Sequence, residues 1–208
     1  MNVAQPLSHY YIFSQSISMD VRSVLSAVRR GVCSAAVVAT LVALFMSSRE
    51  VTAAGPCEGL RGLTLADAAT VTDARAVSPN TAPFFASRAF CRVFVTIAPT
   101  ADSDIKVEVW LPVDGWNRKF QAVGNGDAAG VISYDAMVEA VRRGYATSST
   151  DTGHVGNTMA FALGHRDKYV DFGYRAVHEM TAKAKAVIDA FYGKPAGISI
   201  WNGCSQGG

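Results

Sequence analysis

The sequence predicts an α/β protein, with an antiparallel hairpin followed by parallel strands that alternate with helices and end in a sharp serine turn. Three observations carry this. Two runs in the middle of the chain alternate apolar and polar residues at the period of a strand. After them, strand-like and helix-like segments take turns, the pattern of a sheet joined by crossovers. The last stretch, Gly197 to Gly208, reads G-I-S-I-W-N-G-C-S-Q-G-G, so that Ile198, Ile200 and Trp201 run directly into G-x-S-x-G around Ser205. Small neighbours allow a serine to occupy a strained strand-to-helix turn with its hydroxyl raised above the sheet, where it can attack a carbonyl.

Taken in order, residues 55 to 89 are loop-rich, with one short helical candidate at Leu65 to Thr70 and turn signals at Ser78, Pro79, Asn80 and Pro83. Cys91, Val93, Val95 and Ile97 then mark one strand, and Ile105, Val107, Val109 and Leu111 the next. Pro99, Asp102 and Asp104 turn the chain between them. A third strand, Lys119 to Val123, follows W-N-R and enters G-N-G-D-A-A-G. Ser133 is placed to cap a helix whose Met137, Val138 and Val141 share a face, with Arg142 and Arg143 in its last turn and Gly144 as the stop. Tyr145 to Thr150 reads as a fourth strand. From about Asp171 to Tyr192 a long helix sets Val177, Met180, Ala184, Val187, Ile188 and Phe191 on one side. Glu179 with Lys183, and Lys185 with Asp189, are expected on the outside at i, i+4 spacing. Gly193 and Pro195 end the helix before the final strand.

The amino-terminal part is read separately, because it has the make-up of a leader. Arg22, Arg29 and Arg30 precede the apolar run Val32 to Met46, and small residues follow at Thr52, Ala53 and Ala54. A basic stretch, a short apolar core and a small-residue site make a secretory signal peptide. The run is shorter than the roughly 20 apolar residues of a membrane span. Residues 1–54 are therefore expected to be an N-terminal extension and signal peptide, with Met19 as the true start and a secreted or periplasmic product. Residues 55–208 hold fifteen Lys and Arg against fifteen Asp and Glu, so the formal charge of +2 belongs to the leader. No basic patch argues for nucleic acid.

Export also makes sense of the cysteines. Cys33 falls inside the leader, which leaves Cys57, Cys91 and Cys204, an odd number that implies a missing partner. A Cys57 to Cys91 bond would contribute about 3 to 4 kcal/mol in the chain-entropy picture and leave Cys204 over.

The serine motif is narrower than G-x-S-x-G. G-C-S-x-G-G resembles the nucleophile segment of the tannase and feruloyl esterase family of α/β-hydrolases. F-C-R-V, W-N-R-K-F-Q-A-V-G-N-G, R-G-Y-A-T-S-S-T-D-T-G-H and F-G-Y-R-A-V-H-E-M resemble other segments of that family in order and spacing, so the likeness covers about residues 57 to 208. It implies an α/β-hydrolase fold, incomplete here, with an N-terminal hairpin plus parallel strands up to the nucleophile elbow. It implies a serine esterase acting on small aromatic-acid esters, such as galloyl or feruloyl esters. Ser205 is then the nucleophile, and the backbone N–H groups of Gln206 and Gly126, with Asp127 as the alternative to Gly126, form the oxyanion hole. The resemblance pairs Cys204 with a cysteine beside the catalytic histidine and sets calcium in a lid; no cofactor or metal is expected within these residues. One departure is Asp127, where family members commonly continue G-N-G-G.

In this fold the acid and base follow the serine, whereas His9, His154, His165 and His178 all precede it. The chain is accordingly expected to be cut off just past its nucleophile, without the triad Asp and His or the lid. His154 is expected to be structural, His165 a loop residue and His178 a helix-surface residue. Two other readings stay open. The chain could be a non-catalytic fragment. More remotely, Gly124, Gly126 and Ala129 or Gly130, with Asp151 after the next strand, fit a dinucleotide-binding fingerprint.

Overall fold

The computed structural model describes residues 56–207, and the segment read as a leader, with His9 and Cys33, lies outside them. The described residues build one seven-stranded sheet from β1 (Thr64–Leu65), β2 (Ala69–Val77), β3 (Phe90–Ile97), β4 (Ile105–Pro112), β5 (Lys119–Val123), β6 (Ala146–Thr150) and β7 (Ile198–Asn202). Their spatial order is β1-β2-β3-β4-β6-β5-β7. Strands β1 to β4 pair antiparallel and β6 joins β4 antiparallel, while β5 runs parallel to both β6 and β7. The expected hairpin is β3 and β4, in unbroken register from Phe90↔Pro112 to Ile97↔Ile105.

Helices cover both faces, because the strands between β4 and β7 are linked by helical crossovers. Helix α1 (Tyr134–Arg142) buries Met137 and Val141 against Phe90, Trp110 and Val123 on one face. On the other face, α3 (Ala176–Tyr192) buries Met180, Ala184, Val187, Ile188 and Phe191 against Val93, Val95, Val107 and Val109. It is preceded by α2 (Arg166–Val170) and a π-helical turn, Asp171–Arg175, so the helical run begins ahead of the expected Asp171. Gly193 closes it at φ 64°. A Cys57–Cys91 disulfide ties a short 3₁₀ turn, Cys57–Leu60, to β3.

Three expectations need correction. Leu65 to Thr70 is not helical: Leu65 pairs with Ala69 and Thr64 with Thr70, around a tight turn in which Asp67 and Ala68 take φ 58° and 55°. The helix-forming alanines are overridden by β2's long pairing with β3. That turn also accounts for the second correction. Lys183 is buried rather than outside, because its ammonium reaches Asp67 at 3.0 Å as well as Glu179 at 3.0 Å. Burial alone would lower its pKa, but hydrogen bonds to Asp67 and Glu179 outweigh that and raise it. Third, Ser133 precedes α1 without capping it through its side chain; the hydroxyl instead donates to the Gly124 carbonyl at 3.4 Å.

The W-N-R segment fixes where β5 begins. Trp116 stacks on Tyr192 at 3.8 Å and donates from Nε1 to the Lys119 carbonyl. Asn117 accepts from the Lys119 N–H and donates to the Arg143 carbonyl at the end of α1. The Tyr192 hydroxyl donates to the Pro112 carbonyl, and burial pushes its pKa above the ordinary phenol range. The strand that delivers the glycine loop is thus clamped between both helices before it enters the sheet.

Candidate active site

Strands β5 and β7 run parallel in register, Val123 opposite Asn202, so both chains leave the sheet at the same end. The Gly124 N–H donates to the Asn202 carbonyl at 3.0 Å, which keeps the two exits together for one residue more. Beyond Asn202 the chain turns at Gly203 and Cys204 into a 3₁₀ turn, Ser205–Gly207. Ser205 takes φ 58°, the left-handed conformation that disfavours a side chain. The turn is held by the Gly207 N–H donating to the Cys204 carbonyl at 3.1 Å and by Trp201 Nε1 donating to the Gly207 carbonyl at 2.7 Å.

Glycine is required here by contact. A Cβ on Gly203 would overlap the Gly207 carbonyl and lie 2.7 Å from Trp201 Nε1. A Cβ on Gly207 would strike the backbone of Asn125, with the Asn125 nitrogen at 2.6 Å. The serine turn and the glycine loop therefore pack backbone to backbone. No Cβ fits at those glycines, and the Trp201 indole lies beside them.

The glycine loop is shaped from beneath. Asn125 is buried and directs its side-chain nitrogen at the carbonyls of Ala129, Val131 and Thr150, at 2.9, 2.6 and 2.9 Å. The Ala129 N–H returns to the Gly126 carbonyl at 3.1 Å, and Gly130 bridges to Gly156. Gly126 and Asp127 stand exposed at the crest, Asp127 with φ 53°. Gln206 is exposed on the serine turn. The departure at Asp127 thus puts a carboxylate on the outer edge of the crest.

The histidines occupy different settings. His154 is buried, stacks on Phe161 at 3.7 Å, donates from Nε2 to the Ala128 carbonyl and faces the Thr152 hydroxyl with Nδ1. It braces the glycine loop. His165 pairs with Asp102 at 3.1 Å, at the start of α2. His178 is exposed on α3 and, with Phe172, Trp201, Asn125 and Gln206, lines a cavity of about 490 Å³ beside the serine turn. Cys204 is exposed and unbonded among the described residues.

Asp151, at the end of β6, is buried, and Oδ1 accepts from the backbone N–H groups of Lys106 and Gly153, each at 2.9 Å. Desolvation raises its pKa to about 6, against the opposing pull of those hydrogen bonds. The parts of a dinucleotide fingerprint do not come together around it. The glycine loop packs on the serine turn rather than opening a helix, since α1 begins only at Tyr134. Among the described residues no group of three His, Cys, Asp or Glu is placed to hold a metal, and no helix is long and apolar enough to cross a membrane. The lid expected to hold calcium lies outside the described residues.

Gly207, expected as the second glycine flanking Ser205, is the point at which the serine turn packs on the glycine loop, whereas Asn125 is the residue that sequence reasoning missed. The signal available for it was an asparagine held between two glycines in G-N-G, which marks a tight loop but not what its side chain joins.

A hairpin leading to parallel strands, and the last of these ending in a left-handed serine flanked by glycines, define an α/β-hydrolase-type fold. The family model described as "Tannase and feruloyl esterase" matches residues 91–208, and the chain belongs to that family. It is 36% identical to an uncharacterized esterase of Xanthomonas campestris pv. campestris over 81% of this chain and 31% of that protein. It is 34% identical to feruloyl esterase B of Aspergillus niger over 66% of this chain and 26% of that one. The solved feruloyl esterase B from Aspergillus oryzae superposes with a TM-score of 0.67 at 29% identity, covering 71% of this chain and 31% of that one. The chain spans about a third or less of the length of these relatives.

Proposed function

We propose that the chain is the nucleophile-bearing part of an exported ester hydrolase in which Ser205 attacks the carbonyl of an aromatic-acid ester. The observation that carries this is the left-handed Ser205 at the end of β7, packed through Gly207 onto the glycine loop. Membership of the family supports the ester class, and relatives named feruloyl esterase support aromatic-acid esters, galloyl or feruloyl. The leader composition and the Cys57–Cys91 disulfide support export.

In this reading Ser205 Oγ forms a bond to the ester carbon while its proton passes to a histidine, and an acidic residue orients that histidine. Both come from outside the described residues, as does any lid and its calcium. The carbonyl oxygen gains negative charge and is met by the backbone N–H groups of Gly126 and Gln206. The alcohol leaves with the proton, and water then releases the acid from the acyl-enzyme. Each N–H donor is worth about 3 kcal/mol of transition-state stabilisation.

The test is hydrolysis of methyl ferulate and methyl gallate by the full-length product of the gene that encodes this chain. Ser205→Ala is expected to lower kcat/KM by about a thousand-fold or more, and a fluorophosphonate is expected to label the Ser205 peptide. Undiminished turnover in Ser205→Ala would overturn the assignment.

The 208-residue chain alone is expected to give no turnover. Both ring nitrogens of His154 are engaged, His165 is paired with Asp102, and His178, though it lines the cavity, makes no hydrogen bond to Ser205. A serine without a base is a poor nucleophile.

A further inference from the structure

We propose that Asn125 is a positioning residue, whose side-chain amide sets the Gly126 N–H against the serine turn; this rests on the reading of Ser205 and Gly126 given above. Three observations meet at this residue. Its side-chain nitrogen gathers three carbonyls from two separate segments, Ala129 and Val131 in the glycine loop and Thr150 at the end of β6. Its own peptide is the surface on which Gly207 packs, so close that a Cβ on Gly207 would overlap it. It immediately precedes Gly126. The side chain thus holds one end of a rigid link from β6 to the loop, and its backbone is the contact between loop and nucleophile turn.

The orientation of the amide has only one solution. Rotating it would aim the oxygen at three carbonyls, which only accept hydrogen bonds. The nitrogen therefore faces them. Oδ1 is buried without a partner, an unfavourable state for a carbonyl. Asparagine is used here for its two N–H groups, and its oxygen contributes no bond.

An oxyanion donor acts only if it is already aimed where charge will develop. Loosening the link should therefore impair the chemical step more than substrate binding. In the full-length gene product, Asn125→Asp places a carboxylate against the three carbonyls. At pH 8, kcat is expected to fall about 10- to 100-fold, part or most of what removing one oxyanion donor does, with KM within about twofold. An aryl boronic acid, which forms a tetrahedral adduct on serine, should lose affinity in proportion to kcat, while the aromatic acid product binds as before. As pH is lowered, the ratio of variant to wild-type kcat should rise, because a protonated carboxyl regains one O–H donor.

A drop in thermal stability with kcat per folded molecule and boronate affinity unchanged would overturn the proposal. Should Asn125→Asp not accumulate, Asn125→Ser, which keeps one donor, is read in the same way. The underlying reading fails separately. If wild-type protein hydrolyses esters and Ser205→Ala does so equally well, the site is elsewhere and the inference falls with it. If Ser205→Ala is dead while Asn125→Asp is fully active, only the role of Asn125 is lost.

Discussion

The antiparallel half of the sheet and the serine end are built on opposite principles. In β3 and β4, Val93, Ile97, Ile105, Val109 and Leu111 are fully buried, and the Cys57–Cys91 disulfide lies in the same core. Glu108 on β4 takes both arms of Arg92 at 2.7 and 2.6 Å, Trp110 Nε1 at 2.8 Å and the Tyr134 hydroxyl at 2.8 Å. Side chains do the joining there. In the serine end every residue of β7 is exposed, and the serine turn meets the glycine loop backbone against backbone at Gly124 and Gly207, with Trp201 Nε1 and the Asn125 amide holding the two from either side. The difference separates stability from chemistry. The strained Ser205 is tolerated because its neighbours lock the turn, and the packed half supplies the folding energy that the turn does not.

The comparison breaks most sharply at Gly203. Gly203→Ala drives a methyl into the Gly207 carbonyl and should lower kcat/KM of the full-length enzyme by about a hundred-fold or more, since small misplacements of a reacting group cost that much. Gly62→Ala is its control. Gly62 has φ 75° but an added Cβ there meets nothing within 4 Å. It should destabilise by about 1 kcal/mol from backbone strain alone and leave activity per folded molecule unchanged. Matched steady-state kinetics and urea unfolding would separate the two; equal losses of activity would mean that the seam is not special.

The reverse dissociation is expected at Glu108. Glu108→Ala strands a mostly buried guanidinium and frees Trp110 and Tyr134 from their common acceptor. Removing one partner of a buried ion pair destabilises by about 3 kcal/mol or more. The urea midpoint should fall accordingly while kcat of the folded fraction holds. A large loss of kcat in fully folded protein would show that the two halves are not separable in this way.

How far each half could be read in the sequence follows the same division. Strands β3 and β4 and both long helices were legible because their apolar residues repeat at 2 or 3.6 residues, as in Cys91 to Ile97 or Met180 to Phe191, whereas β5, β6 and β7 were placed by the glycine and turn segments that bound them. Strand β2 was not legible, because A-T-V-T-D-A-R-A-V begins among helix-forming alanines and owes its shape to β3, whose residues pair with it across 13 (Val77↔Phe90) to 28 (Ala69↔Ile97) positions of sequence. Lys183 looked external because the turn that supplies Asp67 was itself unread. At the serine end the glycines announced a tight turn, since no other residue fits such contacts. Asn125 stayed hidden because its work is to join residues 129, 131 and 150, a relation that spacing does not express.

Asp151 lies on the boundary between the halves and gives the smallest but most diagnostic effect. Its carboxylate accepts from Lys106 of β4 on one side and from Gly153 on the other, the residue next to His154, which holds the glycine loop through Ala128. Burial raises its pKa from an ordinary 3.8 to about 6. The folded protein therefore binds this proton more tightly than the unfolded chain. The stabilisation it contributes is complete below about pH 4 and is lost as pH rises through 6, a difference of about 2 to 3 kcal/mol. Asn keeps the oxygen that accepts both N–H bonds but has no proton to lose. Asp151→Asn should therefore gain on wild type by that amount between pH 4 and pH 7.5, in urea unfolding measured at both. If the gap between the two proteins does not change with pH, the carboxyl is ionised throughout and the boundary is held by charge rather than by a shared proton. If it opens as expected, the Gly126 and Ala128 amides should lose protection from hydrogen exchange in wild type relative to Asp151→Asn over the same interval, because Asp151 is one of the side chains that link β4 to the glycine loop.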